Sequence, residues 1–371
     1  MRDIMGIILT NDGNIPPITD QRAVAAIPIA GRYRIIDFVL SSMSNAGITN
    51  VGVITKSNYM SLMDHVGSGK PWDLARKNYG LQVLPPNIAK SDYGRYIGNI
   101  DLLAGVRDYL RNSPQTYVIL SMGDYVYNID FEKIAEKHIE SQADITVVYQ
   151  DMTGASERDL SRYTLLDIND EGRVTDIEVK PFYPKTANAA LDIYIMEKAL
   201  LESIIDECSA RGDHDFIKDA IAQKIQGLNI YAHKFEGFCD KIDSLKAYYD
   251  TNMKFLTKEA RMGIFHAGRP IYTKVKDQVP TKYGENAEVS NSFISDGCEI
   301  YGKVENSVLS RGVKVAEGAV VKDCIIMQNS VIDEGVTLDH VVFDKEVHIT
   351  KGRRLIGQGS YPLAIEKGTT I

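Results

Sequence analysis

Residues 7–38 read IILTNDGNIPPITDQRAVAAIPIAGRYRIIDF. The first three are apolar and predict a buried strand, and a polar loop follows where a nucleotide-binding α/β domain usually holds its phosphates. Such a loop needs several glycines, so that backbone N–H groups can close on the anion, and a cation that neutralises charge. Over residues 11–17 this loop has one glycine, no cation, and two prolines that have no N–H to donate. The stretch therefore predicts a nucleotide-binding domain whose phosphate loop is degenerate.

Beyond the loop, the sequence alternates between strand-like and helix-like segments. Residues 33–46 have apolar side chains at helical spacing and end before Gly47, and residues 51–55 predict the next strand. Further strands are predicted at 117–121 and 145–150, a hairpin at 163–177, and a helix at 245–256. A strand, helix and strand at this spacing predict an α/β domain with a mostly parallel sheet and helices on both faces.

The sequence changes character after residue 283. Short motifs recur at steps of 15 to 17 residues, beginning at Asn291, Asn306, Asp323 and His340, with aliphatic residues and glycines between them. Repeats of this kind bury their inward aliphatic side chains only when successive coils stack. An acyltransferase, which the repeats alone would suggest, is disfavoured because they occupy only the last quarter of the chain.

Length and charge restrict the class of protein. The 371 residues are enough for two domains, for which we expect bounds of 1–256 and 283–371 with a linker at 257–282. Lys plus Arg number 42 against 50 Asp plus Glu, a net charge of −8, which argues against nucleic-acid or membrane-surface binding. No apolar run suits a signal peptide or a membrane span, and the four cysteines are widely spaced. We expect a cytoplasmic protein with reduced thiols.

Three motifs resemble the sugar-nucleotide pyrophosphorylases, and most closely the bacterial glucose-1-phosphate adenylyltransferases. Residues 30–38, AGRYRIIDF, are similar to the family's GGKYRIIDF, residues 65–72 keep its HxGxGxxW pattern, and residues 214–219, HDFIKD, differ from HDFGKD only at Ile217. The resemblance covers roughly residues 4–345. It implies a Rossmann-like, GT-A-like nucleotidyltransferase domain followed by a left-handed parallel β-helix.

The positions that carry catalysis in the family are altered here. Laid along the family pattern, the loop's glycine pair falls on Asn11 and Asp12, its arginine on Pro16, and the lysine of KPAVP on Val24. A metal-binding aspartate falls on Lys241, whose ammonium cannot coordinate a cation. Loss of one preorganised charge typically costs about 2.7–4 kcal/mol of transition-state stabilisation. Several such losses together predict negligible catalysis, with no metal site and no cofactor required by this chain.

Other positions keep part of the family's substrate site. Asp124 follows a predicted strand where the family holds Mg²⁺, although an aspartate there could also cap the next turn. Lys180 corresponds to the lysine that holds the sugar phosphate, and Asp192 replaces a glycine that lets glucose approach the backbone. The candidate vestigial substrate positions are Gly98, Asp101, Asp124, Lys180, Asp192 and His214.

Arg32 and Arg34 align with the family's basic segment near the activator site, where catalytic relatives sense phosphorylated metabolites. A guanidinium suits phosphate because it donates two parallel hydrogen bonds. Both are therefore candidate allosteric residues. The alternative is a pair of solvated or interface arginines.

This combination of retained and altered motifs resembles the GlgD-type subunits, which accompany a GlgC-type catalytic subunit in glycogen biosynthesis. It implies a non-catalytic or very weakly active regulatory subunit of a heterotetramer, whose partner uses Mg²⁺, with a phosphorylated metabolite as possible effector. One alternative is a slow nucleotidyltransferase with an altered site. Another is a homo-oligomeric sensor that binds a sugar phosphate or nucleotide at Arg32 and Lys180.

Overall fold

A computed structural model describes residues 3–10, 13, 15–85 and 98–371. The predictions for Asn11 and Asp12 lie outside the described residues. The strands of the N-terminal part are β1 (Ile4–Leu9), β2 (Pro28–Ile29), β3 (Tyr33–Arg34), β4 (Val51–Ile54), β5 (Leu81–Leu84), β6 (Tyr117–Met122), β7 (Tyr125–Tyr127), β8 (Ile145–Asp151), β9 (Thr164–Ile168), β10 (Val174–Val179), β11 (Asn188–Glu197), β12 (Ile230–Lys234) and β13 (Cys239–Lys241). Its helices are α1 (Ile36–Asn45), α2 (Met60–Val66), α3 (Asn99–Gly105), α4 (Arg107–Asn112), α5 (Phe131–Ser141), α6 (Glu157–Leu160), α7 (Lys198–Arg211), α8 (Leu245–Lys254) and α9 (Lys258–Ile264), with a π-helical turn at Phe216–Ile221.

The nucleotidyltransferase-like domain is built on a mixed nine-stranded sheet. Strand β1 lies between β4 and β6 and is parallel to both, and β5 extends this parallel half beyond β4. Strand β11 runs antiparallel to β6, β8 and β9. All six residues of β1 are buried, as expected for a central parallel strand covered on both faces. A Cβ on Gly6 would lie 2.5 Å from Met43 Sδ, so glycine lets α1 pack closely on this strand. The predicted first strand, first helix and β9–β10 hairpin are confirmed.

The C-terminal repeats form a left-handed parallel β-helix with three all-parallel sheets. Its strands are β14 (Lys282–Tyr283), β15 (Glu288–Ser290), β16 (Phe293–Ile294), β17 (Glu299–Ile300), β18 (Lys303–Glu305), β19 (Val308–Leu309), β20 (Lys314–Val315), β21 (Val320–Lys322), β22 (Ile325–Ile326), β23 (Val331–Ile332), β24 (Thr337–Asp339), β25 (Val341–Phe343), β26 (His348–Ile349), β27 (Arg354–Ile356) and β28 (Leu363–Ile365). The residues that begin the four sequence motifs lie at one corner of successive coils with φ between +39° and +51°. Asn and Asp tolerate this left-handed conformation better than most residues, which explains their recurrence there.

A second apolar cluster joins the two parts of the molecule. Ile15, Ile18 and Val24 of the loop after β1 are buried in it with Phe255 and with Ile325 of the β-helix. Within this junction the guanidinium of Arg22 pairs with the Asp344 carboxylate, with Nη1 3.0 Å from the nearest carboxylate oxygen and both side chains 3% exposed. Residues 15–24 are therefore packed against the β-helix.

None of the helices in the described ranges combines the length and the apolar character that crossing a membrane requires.

Candidate functional site

A cavity of about 320 Å³ opens at the carboxyl ends of β1 and β6, where open α/β sheets usually bind ligands. Leu9 and Met122 end these two strands and line the cavity. Asp192 and Tyr194 reach it from β11, and Lys241 reaches it from β13. The fold thus brings two candidate positions from distant parts of the sequence, Asp192 and Lys241, to one wall.

Lys241 and Asp192 form an ion pair in this wall. Lys241 Nζ lies 2.8 Å from Asp192 Oδ2, and the Tyr125 hydroxyl donates to the same oxygen at 2.9 Å. The ammonium also lies 5.0 Å from the ring centroid of Tyr125 and 5.7 Å from that of Tyr163, so it is enclosed by a carboxylate and two aromatic faces. Burial lowers the pKa of Lys241, but the carboxylates of Asp192 and Asp124 outweigh it and raise the pKa above the ordinary lysine value. Lys241 is therefore a permanent cation at physiological pH.

The residues around this cation do not fit the divalent metal that the family resemblance implies. Magnesium requires oxygen ligands in a close octahedral shell. Strand β13 pairs with β7 and places Lys241 opposite Tyr125, the residue that follows Asp124. The backbone oxygen of Asp124 accepts a hydrogen bond from the backbone N–H of Ile242 at 2.8 Å. The carboxylates that would attract a metal face an ammonium that repels it, and one of them is bonded to that ammonium.

A small hydrogen-bonded group lies beside the cavity and consists of Gly98, Asp101 and His214. His214 Nδ1 lies 2.9 and 3.0 Å from the two carboxylate oxygens of Asp101, and Asp101 Oδ2 accepts from Gly98 N at 2.9 Å. A Cβ on Gly98 would lie 2.1 Å from His214 O, so only glycine fits this approach. These retained positions hold the N-terminus of α3 against the segment before the π-helical turn. Lys180 lies exposed after β10 and lines the cavity.

The altered loop positions Pro16 and Val24 lie away from this wall. Val24 is buried in the junction cluster, and a Cβ on Gly13 would lie 2.1 Å from its Cγ2. Pro16 is exposed in the same loop. A lysine at the position of Val24 would have to bury its ammonium among apolar side chains, so the local packing of this chain suits valine.

Arg32 and Arg34, which the sequence analysis treated together, have different environments. Ala30 and Gly31 adopt left-handed conformations in the turn between β2 and β3, with φ of +49° and +76°. The side chain of Arg32, which follows this turn, is exposed. It lines a separate cavity of about 430 Å³ beside Phe265 and residues 292–296 of the β-helix. Arg34 is buried, and its Nη1 donates to Ser61 O at 2.6 Å and to Ser61 Oγ at 2.9 Å. Burial lowers the pKa of Arg34 to about 10.

Sequence reasoning missed the basic residues that gather around Arg34. We call Arg22, Arg34, Lys276 and Lys345 the basic cluster. Burial, together with the positive charges of Arg34 and Arg22, lowers the pKa of Lys345 to about 7, while Asp344 opposes the shift. The pKa of Lys276 is lowered by burial and then by Arg34. Arg22 and Lys345 are 323 positions apart, so no local pattern relates them.

Comparisons with known proteins match both parts of the chain. A family model described as nucleotidyl transferase matches residues 14–258, and one described as GlmU-like, C-terminal hexapeptide matches residues 276–360. The chain is 35% identical over 367 residues to glycogen biosynthesis protein GlgD of Bacillus subtilis (strain 168), covering 98% of this chain and 96% of that protein. It is 32% identical over 337 residues to a glucose-1-phosphate adenylyltransferase of Clostridium perfringens (strain SM101 / Type A), covering 90% and 86%. A glucose-1-phosphate adenylyltransferase of Bacillus mycoides (strain KBAB4) is 32% identical over 338 residues, covering 90% and 89%.

Proposed function

Because this chain belongs to the nucleotidyl transferase family, in the group of GlgD and the glucose-1-phosphate adenylyltransferases, we propose that it is a non-catalytic, modulatory subunit. Its partner would be a GlgC-type catalytic subunit, and their assembly, a heterotetramer, would make ADP-glucose from ATP and glucose 1-phosphate for glycogen biosynthesis. The observation that carries this proposal is the ion pair between Lys241 and Asp192, which closes the metal position with a side chain.

The contacts made by Lys241 and by residues 15–24 are the reason that we expect no catalysis from this cleft. Nucleotidyl transfer needs a cation that bridges phosphate oxygens and a loop that holds the triphosphate in line. Lys241 is held by Asp192 and Tyr125, and residues 15–24 are held by the apolar junction. Neither could reach a triphosphate without breaking these contacts. Any activity of the chain alone would therefore be very weak.

The junction between the two domains supports a modulatory role. Residues 15–24, which follow β1, are fixed to the β-helix by apolar packing and by the Arg22–Asp344 pair. A subunit with this rigid arrangement can stabilise one conformation of a partner that contacts it. Such coupling typically amounts to about 1–3 kcal/mol, or roughly 5- to 150-fold in an equilibrium.

The basic cluster supports a phosphorylated effector. Its four basic residues come from the segment before β2, β3, the segment after α9 and the β-helix, and burial together with their mutual repulsion lowers the pKa of Lys345 and Lys276. A phosphate would relieve this repulsion and contact the two domains at once. Arg32, exposed at a separate cavity, would offer a further cation to such an effector.

The test is ADP-glucose synthesis by the purified chain, by the GlgC-type subunit of the same organism, and by mixtures of the two at increasing ratios with Mg²⁺. We expect no measurable turnover from this chain and a saturable several-fold increase, or a shifted effector response, in the mixture. A mixture that only adds the two separate activities at every ratio would contradict the proposal. Substantial turnover by the chain alone would instead favour a nucleotidyltransferase with an altered site.

A matched variant separates these outcomes further. Asp192→Gly with Lys241→Asp restores the family's residues at the closed metal position and leaves the junction intact. In a modulatory subunit this double variant still enhances the partner and gains at most slight activity, since Pro16 and Val24 remain. A variant that becomes fully active would show that the ion pair alone suppresses catalysis.

A further inference from the structure

One corner of the β-helix carries a column of polar side chains. In successive coils the residues at this corner are Asn291, Asn306, Asp323 and His340. Asn291 Nδ2 donates to Asn306 Oδ1 at 2.8 Å, and Asn306 Nδ2 donates to the carboxylate of Asp323. The next step of the column carries no hydrogen bond, because Asp323 Oδ2 and His340 Nε2 lie 4.0 Å apart. The column is therefore interrupted between these two side chains.

The two atoms that face each other across this gap are both acceptors. His340 Nδ1 lies 2.5 Å from Asp339 Oδ1, and a carboxylate at this distance holds the ring proton on Nδ1. Nε2 then presents its lone pair to the carboxylate oxygen of Asp323. The imidazole is held in this orientation by Tyr249 of α8, whose ring is stacked on it with centroids 6.1 Å apart. Two facing acceptors call for a cation between them.

The charges around the gap also favour a cation. The side chains of Asp323 and Asp339 are 15% and 34% exposed, and within the described part of the chain neither forms an ion pair with a lysine or an arginine. One ligand atom from each of these carboxylates and one from His340 lie within 4.8 Å of one another. The neighbouring thiol of Cys324 is not a ligand, because burial raises its pKa to about 12 and it donates to Lys322 O at 2.9 Å. The donors at this corner are therefore an imidazole nitrogen and carboxylate oxygens.

The spacing and chemistry of these donors suit zinc. Zinc binds imidazole nitrogen and carboxylate oxygen at about 2.0–2.2 Å, so neighbouring ligand atoms of a tetrahedral site lie about 3.4 Å apart. The separation of 4.0 Å between Nε2 and Oδ2 has to close by only about 0.6 Å to reach this value. A carboxylate on the other ring nitrogen is the usual companion of a metal-bound histidine. Magnesium, by contrast, prefers a shell made only of oxygen atoms.

We propose that this corner of the β-helix is a zinc site, with His340 Nε2 and Asp323 Oδ2 as its protein ligands and water at the open positions. Asp339 is a positioning residue, because it orients the imidazole and fixes its proton. The site goes beyond the function proposed above and uses no residue of the cleft. The ion ties two successive coils together. Tyr249 connects these coils to the other domain, since its hydroxyl donates to Asp323 O at 2.8 Å.

The test is calorimetric titration of the full chain, treated with EDTA and dialysed, with zinc chloride at pH 7 and with magnesium chloride for comparison. We expect saturable binding of zinc and no saturable binding of magnesium. Asp339→Asn should weaken zinc binding about 10- to 100-fold, as is typical when the group that orients a ligand is lost. His340→Asn removes the nitrogen ligand and should weaken zinc binding further. Asparagine occupies the same left-handed corner at Asn306, so this variant is expected to fold.

Thermal unfolding gives a second measurement. A ligand that binds only the folded state stabilises it, so zinc should raise the unfolding midpoint of the wild type. Zinc should leave the midpoint of His340→Asn unchanged. Circular dichroism of both proteins in EDTA checks that the variant is folded before zinc is added.

His348→Asn is the matched control. His348 lies in the same β-helix and its Nε2 is 3.0 Å from Asp333 Oδ2, so it is also a histidine paired with an aspartate. Among the described residues it belongs to no group of three metal-ligating side chains. This variant should leave the Kd for zinc unchanged.

Three results would overturn the proposal: no saturable heat with zinc, an unchanged Kd in His340→Asn, or an equal loss of affinity in His348→Asn. An equal rise of the unfolding midpoint in the wild type and His340→Asn would also overturn it, because the stabilising ion would then lie elsewhere. Magnesium binding as tight as zinc binding would show that the site does not use a nitrogen ligand. All of these measurements are made on the chain alone, so they are separate from the test of the modulatory role.

Discussion

Replacing Lys241 by methionine tests whether the ion pair with Asp192 holds the cleft together. The two side chains are 12% and 18% exposed, so the pair is mostly buried. Removing one member of a fully buried pair typically costs about 3–5 kcal/mol, because the remaining charge is left without its partner. The residual exposure and the Tyr125 hydroxyl bond reduce this figure, and we expect a loss of about 2–4 kcal/mol in the free energy of unfolding for Lys241→Met.

The double-mutant cycle with Asp192→Asn isolates the pair itself. In Lys241→Met with Asp192→Asn no charge remains uncompensated between the two positions, so the double variant should be more stable than the sum of the single variants predicts. For contacting residues we expect a coupling energy of about 1–3 kcal/mol. The measurement is urea unfolding at pH 7, followed by tyrosine fluorescence and circular dichroism, with the m-value compared across the four proteins.

Lys254→Met is the control for the loss of an ammonium group. Lys254 Nζ lies 2.7 Å from Asp240 Oδ1, but its side chain is 51% exposed, so its removal should cost less than about 1 kcal/mol. The reasoning is refuted if Lys241→Met costs no more than Lys254→Met, or if the two single changes at 241 and 192 are additive. Either result would mean that solvent screens the pair, and the cleft would then be open to a metal.

Two further predictions concern the domain junction. Arg22→Met should cost about 3–5 kcal/mol in urea unfolding because it leaves Asp344 buried and unpaired, and Arg22→Met with Asp344→Leu should recover most of that loss; a single variant as stable as the wild type would contradict this. Burial and the neighbouring positive charges of Arg34 and Arg22 lower the pKa of Lys345 from 10.5 to about 7 in the folded chain, so the folded state binds fewer protons than the unfolded state between these pH values. Stability should therefore rise as pH increases from about 7 towards 10, and Lys345→Met should be more stable than the wild type at pH 7 and reduce this rise; identical pH profiles of unfolding for the two proteins would refute the assignment.

The predictable parts of this fold are those that local sequence specifies. A continuous apolar run specified β1, and apolar residues at helical spacing specified α1, although the helix begins at Ile36 and the prediction began at 33. The repeat motifs specified the β-helix because each coil uses the same left-handed corner. Residues 257–282 were expected to be a linker, and the structure places helix α9 at their start. Short helices of this kind are stabilised by tertiary packing more than by propensity, which limits their prediction from sequence.

The site was less predictable because its contacts join residues that are far apart in sequence. Asp192 was interpreted as the loss of a glycine, and Lys241 as the loss of a metal ligand. Their spacing in the sequence did not indicate that the two side chains form a pair. Tyr194 was passed over because its hydroxyl's lack of a hydrogen-bond partner among the described residues is visible only after the chain has folded around it. Arg32 and Arg34, two positions apart, were expected to act together, but the turn at Ala30 and Gly31 sends them into different environments.

The altered positions compensate one another physically, and this favours a retained role over simple decay. Lysine at 241 without Asp192 would face only Asp124 in the cleft. Aspartate at 192 without Lys241 would bury a second carboxylate beside Asp124. Together, Lys241 and Asp192 form a hydrogen-bonded pair. In the loop, valine at 24 removes a cation and supplies an apolar side chain to the cluster that joins the domains. Random loss of catalytic residues would leave uncompensated buried charges, which are strongly destabilising. The changes at positions 24, 192 and 241 each supply a contact that stabilises the fold, as expected if the protein is required for its shape and its surfaces.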